Sequence, residues 1–369
     1  MAECVIGLVL SLAAIVAAAE LFTNGIEWLG KRWNLASGVV GSVLAAVGTA
    51  LPETMVGIVA VIVGTKSSHQ IGIGAILGAP FLLSTLAFAV TGIAALAYRK
   101  RRRTGARLVV DRQIMSRDLS TFIVLYVFAI AASFVPFRLG RLAICAILTG
   151  GYALYLIRTF RGTGKIEGEL NPLHLKVVFF RWFTRKDAEE AHEDFLDRRR
   201  QRQESAPSIR PIIVQLFVAL AIIVGGARYF VDAAGIVSQA LGVAPMIFAM
   251  VVAPIITELP EKANSVTWIR QSKDTLSLGN ITGAMVFQST LIPAIGIAFT
   301  EWELLAGAHK PQAALFSAAV AIFSGAMVLR AVGRAEPHDE RHHWLSPFLL
   351  IGMGMLYFVW AVAVFVIRW

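Results

Sequence analysis

Charged residues are scarce in this chain. They make up 16% of its 369 residues, against about 25% in an ordinary soluble domain. Cysteine is scarcer still, since Cys4 and Cys145 are the only two and lie far apart in apolar stretches. These shortages exclude a disulfide-stapled scaffold and a paired-cysteine metal or redox motif. They also argue against a soluble enzyme or DNA-binding domain. The residues before the first apolar stretch include no basic cluster, so we expect that stretch to be a membrane span rather than a cleaved signal.

Apolar residues are abundant and grouped. They form 57% of the chain and cluster in blocks of about twenty, the length of a helix that crosses a bilayer. The sequence therefore predicts an all-α integral membrane protein with about ten transmembrane helices embedded in the lipid bilayer. The predicted spans are residues 4–27, 36–64, 70–98, 119–135, 140–160, 210–234, 243–269, 275–300, 312–330 and 346–367.

The net charge of +10 has an explanation in topology. The basic run Arg99–Arg103 and the charged segment 161–210 fall on one side of the membrane if the N-terminus is outside. By the positive-inside rule this side is the cytoplasm, which predicts a multi-pass protein of the inner or plasma membrane with both termini outside. No nucleic-acid partner is then needed to account for the charge. The segment 161–210 lacks the spaced aspartates of a calcium loop, and its role is not predicted.

Two segments of the chain repeat one pattern. Val47–Glu53 and Ile255–Glu261 each contain Thr-x-Leu-Pro-Glu, and each is followed in the next span by Gly-x-x-x-Gly. The pattern divides the chain into a first repeat (1–160, spans 1–5), the loop 161–210 and a second repeat (211–369, spans 6–10). Because five is an odd number, the second repeat must be inverted in the membrane. Inverted repeats whose helices are interrupted at corresponding positions are typical of secondary transporters.

The repeated motif carries the predicted site. Pro52 and Pro260 remove backbone donors and free carbonyl groups at mid-membrane depth, beside Glu53 and Glu261. A carboxylate at that depth costs about 2.5–3.5 kcal/mol to insert, so its presence favours a function. The predicted cation-binding residues are Glu53, Glu261, Glu258, Thr49, Thr257, Asn280 and Gln288, with the three glutamates as the metal ligands.

All these donors are hard oxygen atoms, which favour calcium, magnesium or manganese over zinc or copper. Inorganic cations are thus the expected substrates, and no cofactor or catalytic residue is predicted. Lys262 follows Glu261 but lies about 100° further round a helix, so we expect it to point away from the site. We also expect Arg228 to pair with Asp232, four residues on. The paired glycines of spans 3 and 8 should let these two central helices approach closely.

The motifs resemble those of the cation/calcium exchanger superfamily, whose repeats carry Gly-Thr-Ser-Leu-Pro-Glu followed by a Gly-Asn segment. Here the corresponding residues are Gly48–Glu53, Thr257–Glu261 and Gly279-Asn280, and the resemblance covers the whole chain. It implies a secondary antiporter that exports calcium or a similar divalent cation in exchange for protons or sodium by alternating access. In that cycle Glu53 and Glu261 would bind the cation and the counter-ion in turn.

The sequence departs from the family pattern at several neutral ligands. Ala50, Ala79 and Ala284 replace serines, and Glu258 replaces another. Close carboxylates cannot all ionise cheaply, so at least one is expected to hold a proton near neutral pH. We therefore favour protons over sodium as the counter-ion.

Two alternatives stay open: an exchanger of monovalent cations for protons, and an uncoupled cation pore or sensor on the same fold. An intramembrane enzyme is disfavoured because the sequence has no His-Glu-x-x-His motif and no serine–histidine pair within its spans. The oligomeric state is not predicted.

Overall fold

The computed structural model describes residues 2–32, 51–162, 209–302, 304, 311–336, 338–339 and 342–365. Nearly all of them are helical. The predicted site residue Thr49 and most of the loop 161–210 lie outside these residues. The elements in chain order are α1 (Ala2–Arg32), α2 (Leu51–Val63), α3 (Lys66–Leu82), a π-helical turn (Leu83–Ala87), α4 (Phe88–Ala97), β1 (Leu108–Asp111), α5 (Arg112–Ala131), a 3₁₀ turn (Ala132–Phe134), α6 (Arg138–Gly162), α7 (Ile209–Ala240), α8 (Pro245–Thr257), α9 (Leu259–Arg270), α10 (Asp274–Phe299), α11 (Pro311–Arg334), β2 (His342–Leu345) and α12 (Pro347–Phe365).

The helical membrane architecture is confirmed, but the count of about ten transmembrane helices is not. Within the described ranges, eight helices are long and apolar enough to cross a membrane. The two remaining predicted spans are those with the Leu-Pro-Glu motif. Span 36–64 is described only from Leu51 onward, and span 243–269 is divided into α8 and α9. The division falls next to Pro260, which has no backbone donor for a continuous helix.

The helices differ in how much of their surface the protein covers. The crossing Lys66–Ala97, formed by α3, the π-helical turn and α4, is 89% buried over its apolar window, and α10 is 78% buried. The corresponding value is 22% for both α6 and α7, whose exposed side chains include Leu139 and Phe217. Apolar side chains on such an exposed surface are stable in contact with lipid. The site-bearing helix α10 is therefore central, and α6 and α7 are peripheral.

Two large apolar cores hold the described helices together, and a small third cluster around Trp28 and Ile212 joins α1 to α7. The larger core joins α3–α6 with α8–α12. The smaller core joins α1 and α7 to α2 and to one face of α3 and α8. At the α1–α7 contact, Gln215 Nε2 donates to Leu21 O at 2.7 Å and to Asn24 Oδ1 at 3.0 Å. The long helices α1 and α7 are thus joined by hydrogen bonds from Gln215 and lie beside the main bundle.

A short antiparallel sheet adds to the predicted all-α fold. Strand β1 pairs with β2, with Leu108 opposite Leu345 and Asp111 opposite His342. Its alternation fits a strand with one buried face, since Leu108 and Val110 are fully buried. The sheet joins the segment after α4 to the segment before α12, and so connects the two halves of the chain.

The expected role of the paired glycines is half right. A Cβ atom at Gly74 or Gly78 would collide with the backbone carbonyl of Met246 or Met250, so α3 lies directly against α8. The partner is thus a helix of span 7 and not the other central helix. At Gly283 a Cβ atom would meet only the Tyr155 hydroxyl, at 3.7 Å. The predicted close approach through the glycines of α10 is wrong, because that face meets side chains and not a backbone.

Candidate functional site

Glu258 occupies the interruption between α8 and α9. Its backbone angles are φ −92° and ψ 13°, outside the ideal helical values. Its N–H donates to Pro254 O at 3.3 Å, and its carbonyl accepts from Lys262 N at 3.3 Å. Glu261 follows in the first turn of α9, where the positive end of the helix dipole favours a carboxylate. The chain therefore presents two acidic side chains at one helix start.

Three glutamates are buried in the region of this interruption. Glu258 and Glu261 are fully buried, and Glu53, the third residue of α2, is 2% exposed. Glu258 interacts electrostatically with both other glutamates. In the part of the chain described, no hydrogen-bond partner contacts the carboxylate oxygens of Glu53 or Glu258. Buried carboxylates without hydrogen-bond partners are costly, which marks this cluster as a place where a cation is favourable.

Of the predicted neutral ligands, Thr257 lies next to one of the glutamates, and Gln288 and Asn280 lie on the neighbouring helix α10. Thr257 is fully buried. It faces the Glu53 carboxyl and donates to Ala253 O at 2.9 Å. On α10, Gln288 is fully buried, and both its amide oxygen and its amide nitrogen are without a hydrogen-bond partner among the described residues. Asn280, two turns earlier, has an amide nitrogen in the same condition. The amide oxygen of Gln288 is therefore available to a cation as far as the described residues show, whereas the unpaired atom of Asn280 is a hydrogen-bond donor and not a cation ligand.

The glutamates do not form a ready-made metal cage. Over the described ranges, no three histidine, cysteine, aspartate or glutamate side chains are close enough to hold one metal ion together. What the carboxylates share is an electrostatic environment, and that environment includes a cation of the protein itself.

Lys262 is that cation, and its predicted direction is wrong. Its Nζ lies 3.4 Å from both Pro254 O and Ile255 O, near enough for its charge to influence Glu53, Glu258 and Glu261, although no ion pair joins it to a glutamate among the described residues. The angle of 100° from Glu261 was an incomplete guide, because helical side chains tilt towards the N-terminus of their helix. In α9 that tilt leads back to the interruption. The spacing of four residues from Glu258 is the signal that would have found it.

The expected pair of Arg228 with Asp232 is present. Its Nε and Oδ2 atoms are 3.1 Å apart, and the two side chains are 55% and 52% exposed. The pair lies on α7, outside the carboxylate cluster, and a surface pair of this kind contributes little stability.

Two buried acidic groups on the main bundle were missed by the sequence analysis. Asp274, at the start of α10, accepts from Arg102 Nη2 at 2.8 and 2.9 Å and from Val109 N at 2.9 Å. Asp118 of α5 accepts from Thr282 Oγ1 at 2.9 Å. Both contacts fix α10, which carries Asn280 and Gln288. The run Arg99–Arg103 was attributed wholly to topology, so its one buried arginine gave no separate signal.

Comparison with known proteins supplies relatives for this arrangement. The chain is 21% identical over 300 residues to inner membrane protein YrbG of Escherichia coli strain K12, a match that covers 80% of each chain. It is 24% identical over 300 residues to sodium/calcium exchanger MaX1 of Methanosarcina acetivorans, covering 77% of this chain and 80% of that one.

Two solved structures share the fold. The H⁺/Ca²⁺ exchanger CAX superposes with a TM-score of 0.67 at 16% identity, over 97% of this chain and 82% of that one. The sodium-calcium exchanger NCX_Mj superposes with a TM-score of 0.55 at 18% identity, over 99% of both chains. The family model for the sodium/calcium exchanger protein matches residues 4–161 and 211–366. The chain therefore belongs to the sodium/calcium exchanger protein family of membrane cation antiporters, and it is a transporter rather than an enzyme.

Proposed function

We propose that this antiporter exports calcium, or a similar divalent cation, in exchange for protons by alternating access. The observation that carries the proposal is the burial of three glutamates around the interrupted helix, where Glu258 feels the charge of Glu53 and Glu261. We assign Glu53, Glu258 and Glu261 as cation ligands, with Thr257, Asn280 and Gln288 as neutral oxygen donors. Thr49 is proposed from the sequence pattern alone.

The choice of a divalent cation rests on charge and donor type. Carboxylate, hydroxyl and amide oxygens suit calcium, and several oxygen donors are needed to complete its shell. Calcium is also the ion common to the names of the two structural relatives. Because the described structure brings no three carboxylates to metal-binding distance, we expect calcium to draw them together when it binds.

The choice of protons as the counter-ion rests on the crowding of the glutamates. Neighbouring carboxylates in a buried site repel one another and titrate as a coupled group. An empty site is then most stable with part of its negative charge neutralised by protons, and an arriving calcium ion displaces them. Glu258 strengthens this argument because the family resemblance assigns a neutral serine to its position.

Alternation requires one part of the protein to move past another. The pair α1–α7 contacts the rest through its own smaller apolar core and carries an internal polar contact between Gln215 and Asn24. We propose that this pair moves as a unit along the bundle that holds the glutamates. Such rigid-body movement around a fixed site is typical of transporters built from repeats. We place the protein in the inner or plasma membrane with both termini outside.

Purified protein in proteoliposomes tests the proposal. Calcium uptake should respond to an imposed proton gradient, and Glu53→Gln and Glu261→Gln should each abolish it, because an amide does not balance a divalent charge in a buried site. Glu301→Gln, which changes an exposed glutamate, is the matched control and should keep normal uptake. Thermal unfolding of each variant verifies that it is folded.

Each contrary result has a separate meaning. Near-normal uptake in either site variant would contradict the assigned ligands. Uptake that follows a sodium gradient and ignores the proton gradient would contradict the coupling. Calcium flux with no counter-gradient at all would indicate an uncoupled pore. The same assay with magnesium, manganese, sodium and potassium identifies the transported ion.

A further inference from the structure

One end of the helix bundle carries exposed basic side chains from two distant segments of the chain. The first segment follows α4, and the second is the turn between α9 and α10. Arg103 N donates to Ser272 Oγ at 3.2 Å across 169 residues, and the Arg270 guanidinium carbon lies 6.0 Å from the centre of the Tyr98 ring. Together the two segments form one surface, the basic rim, whose six exposed residues are Arg99, Lys100, Arg101, Arg103, Arg270 and Lys273.

The buried Arg102 holds the basic rim in this shape. Its Nη2 donates to the two carboxylate oxygens of Asp274 at 2.9 and 2.8 Å. The same atom donates to Thr104 Oγ1 at 2.9 Å and to Arg107 O at 3.0 Å. These contacts fix one arginine of the run inside the protein, next to the start of α10, while its neighbours in the sequence stay exposed. The rim is therefore an ordered surface, and a ligand that binds it has less conformational entropy to offset.

The positive charge of the rim is not balanced within the described part of the chain. Asp274 is the acidic residue at this turn, and it is paired with the buried Arg102. No carboxylate of a described residue forms an ion pair with any of the six rim residues. Six like charges close together repel one another, so an anionic partner is favoured here.

Apolar side chains beside the rim indicate what kind of anion fits. Ile93 of α4 is 55% exposed, and Leu276, in the first turn of α10, is 36% exposed. From the rise of a helix, Ile93 lies about 9 Å along the axis from Arg99, in the direction of the membrane-crossing part of α4. A molecule with an anionic head and an apolar tail gains from both kinds of contact. A water-soluble anion gains nothing from the apolar side chains.

We propose that the basic rim binds the headgroups of anionic membrane lipids, with the acyl chains along the exposed apolar faces of α4 and α10. Clusters of four to eight lysines and arginines next to a membrane helix attract anionic headgroups. The positive-inside rule explains why basic residues lie on one side of the membrane. It does not explain why two segments 169 residues apart meet in one ordered surface around a buried arginine.

Native mass spectrometry of the detergent-purified full chain tests the proposal. Dioleoylphosphatidylglycerol and dioleoylphosphatidylcholine are titrated in separately, and the bound lipids are counted. The wild-type protein should bind the anionic lipid more tightly. Arg101→Gln with Arg103→Gln removes two rim charges and should weaken phosphatidylglycerol binding by about tenfold or more. Arg270→Gln with Lys273→Gln removes two charges from the other segment and should have the same effect, which covers a failure of the first variant to fold.

Two controls separate the rim from the net charge of the protein. Lys66→Gln with Arg138→Gln also removes two exposed charges. Lys66 begins the crossing that ends at the rim, and Arg138 begins α6 after α5 has crossed away from the rim, so both lie at the opposite end of the bundle. This variant should leave the tightest phosphatidylglycerol binding unchanged. Arg101→Lys with Arg103→Lys keeps the charge and should keep most of the binding. Thermal unfolding verifies that each variant is folded.

Four results would overturn the inference. The first is unchanged phosphatidylglycerol binding by a folded rim variant. The second is an equal loss in the variant of the opposite end, since affinity would then follow the net charge alone. The third is equal binding of the two lipids by the wild-type protein. The fourth is displacement of the lipid by inorganic phosphate at the same concentration, which would indicate a site for free anions. The proposed cation exchange does not depend on any of these outcomes, and failure of that exchange would not affect the rim.

Discussion

The buried ion pair at the start of α10 gives the sharpest test of how this fold is held together. Arg102 and Asp274 have side chains that are 0% and 1% exposed. The substitution Asp274→Ala removes both contacts with Arg102 and the acceptor for Val109 N. It leaves a buried guanidinium whose Nε and Nη1 have no hydrogen-bond partner among the described residues.

Removing one partner of a buried pair costs about 3–5 kcal/mol, because the other charge stays buried and uncompensated. We therefore expect Asp274→Ala to lower the free energy of unfolding by about this amount, measured by reversible unfolding in mixed micelles. The matched control is Glu336→Ala. Glu336 lies 3.8 Å from Arg107, and the two side chains are 81% and 66% exposed, so the control should cost at most about 1 kcal/mol.

The double variant Arg102→Met with Asp274→Leu completes the test. Replacing both charges by apolar side chains of similar size should recover the part of the loss that comes from the buried arginine charge, while Val109 N still lacks its acceptor. If Asp274→Ala costs no more than Glu336→Ala, burial does not set the strength of the pair. If the double variant is as unstable as Asp274→Ala, the uncompensated arginine is not the source of the cost.

Three further predictions follow from the packing, the topology and the site. Gly78→Ala should destabilise the protein by about 1–3 kcal/mol, because its Cβ would collide with the α8 backbone. Gly283→Ala is the control and should change stability little. Equal losses of stability in thermal unfolding would contradict this packing. In a cysteine-free background, a cysteine at His69 should react with an impermeant thiol reagent added outside intact cells and one at Arg103 should not; the reverse pattern would invert the topology. Glu258→Ser should flatten the pH dependence of calcium uptake, because one fewer crowded carboxylate takes up protons; an unchanged pH profile would remove Glu258 from the coupling.

Local rules explain why the sequence predicts so much of this fold. Apolar blocks of about twenty residues predict membrane helices because lipid offers no partner for a backbone donor or acceptor. Proline beside glutamate predicts an interruption for an equally local reason, since proline lacks the donor that a continuous helix needs. Span 243–269 is divided between Thr257 and Leu259, next to the proline that lacks the donor. Glu258 and Glu261, the acidic residues of the same motif, are buried there.

Contacts between distant segments decided the rest. The sequence around Gly74 does not predict that this glycine packs against the Met246 carbonyl. The basic run Arg99–Arg103 likewise does not predict which of its arginines pairs with Asp274. Lys262 is the clearest case. Its angle round the helix was known from the sequence, but a long side chain ends where the packing directs it. The sequence by itself determined the membrane helices, the repeated motif and the acidic residues of the proposed site. Only the tertiary structure decided that Lys262 turns back to the helix break, because the position of its ammonium group depends on where α8 ends and which carbonyl groups lie there.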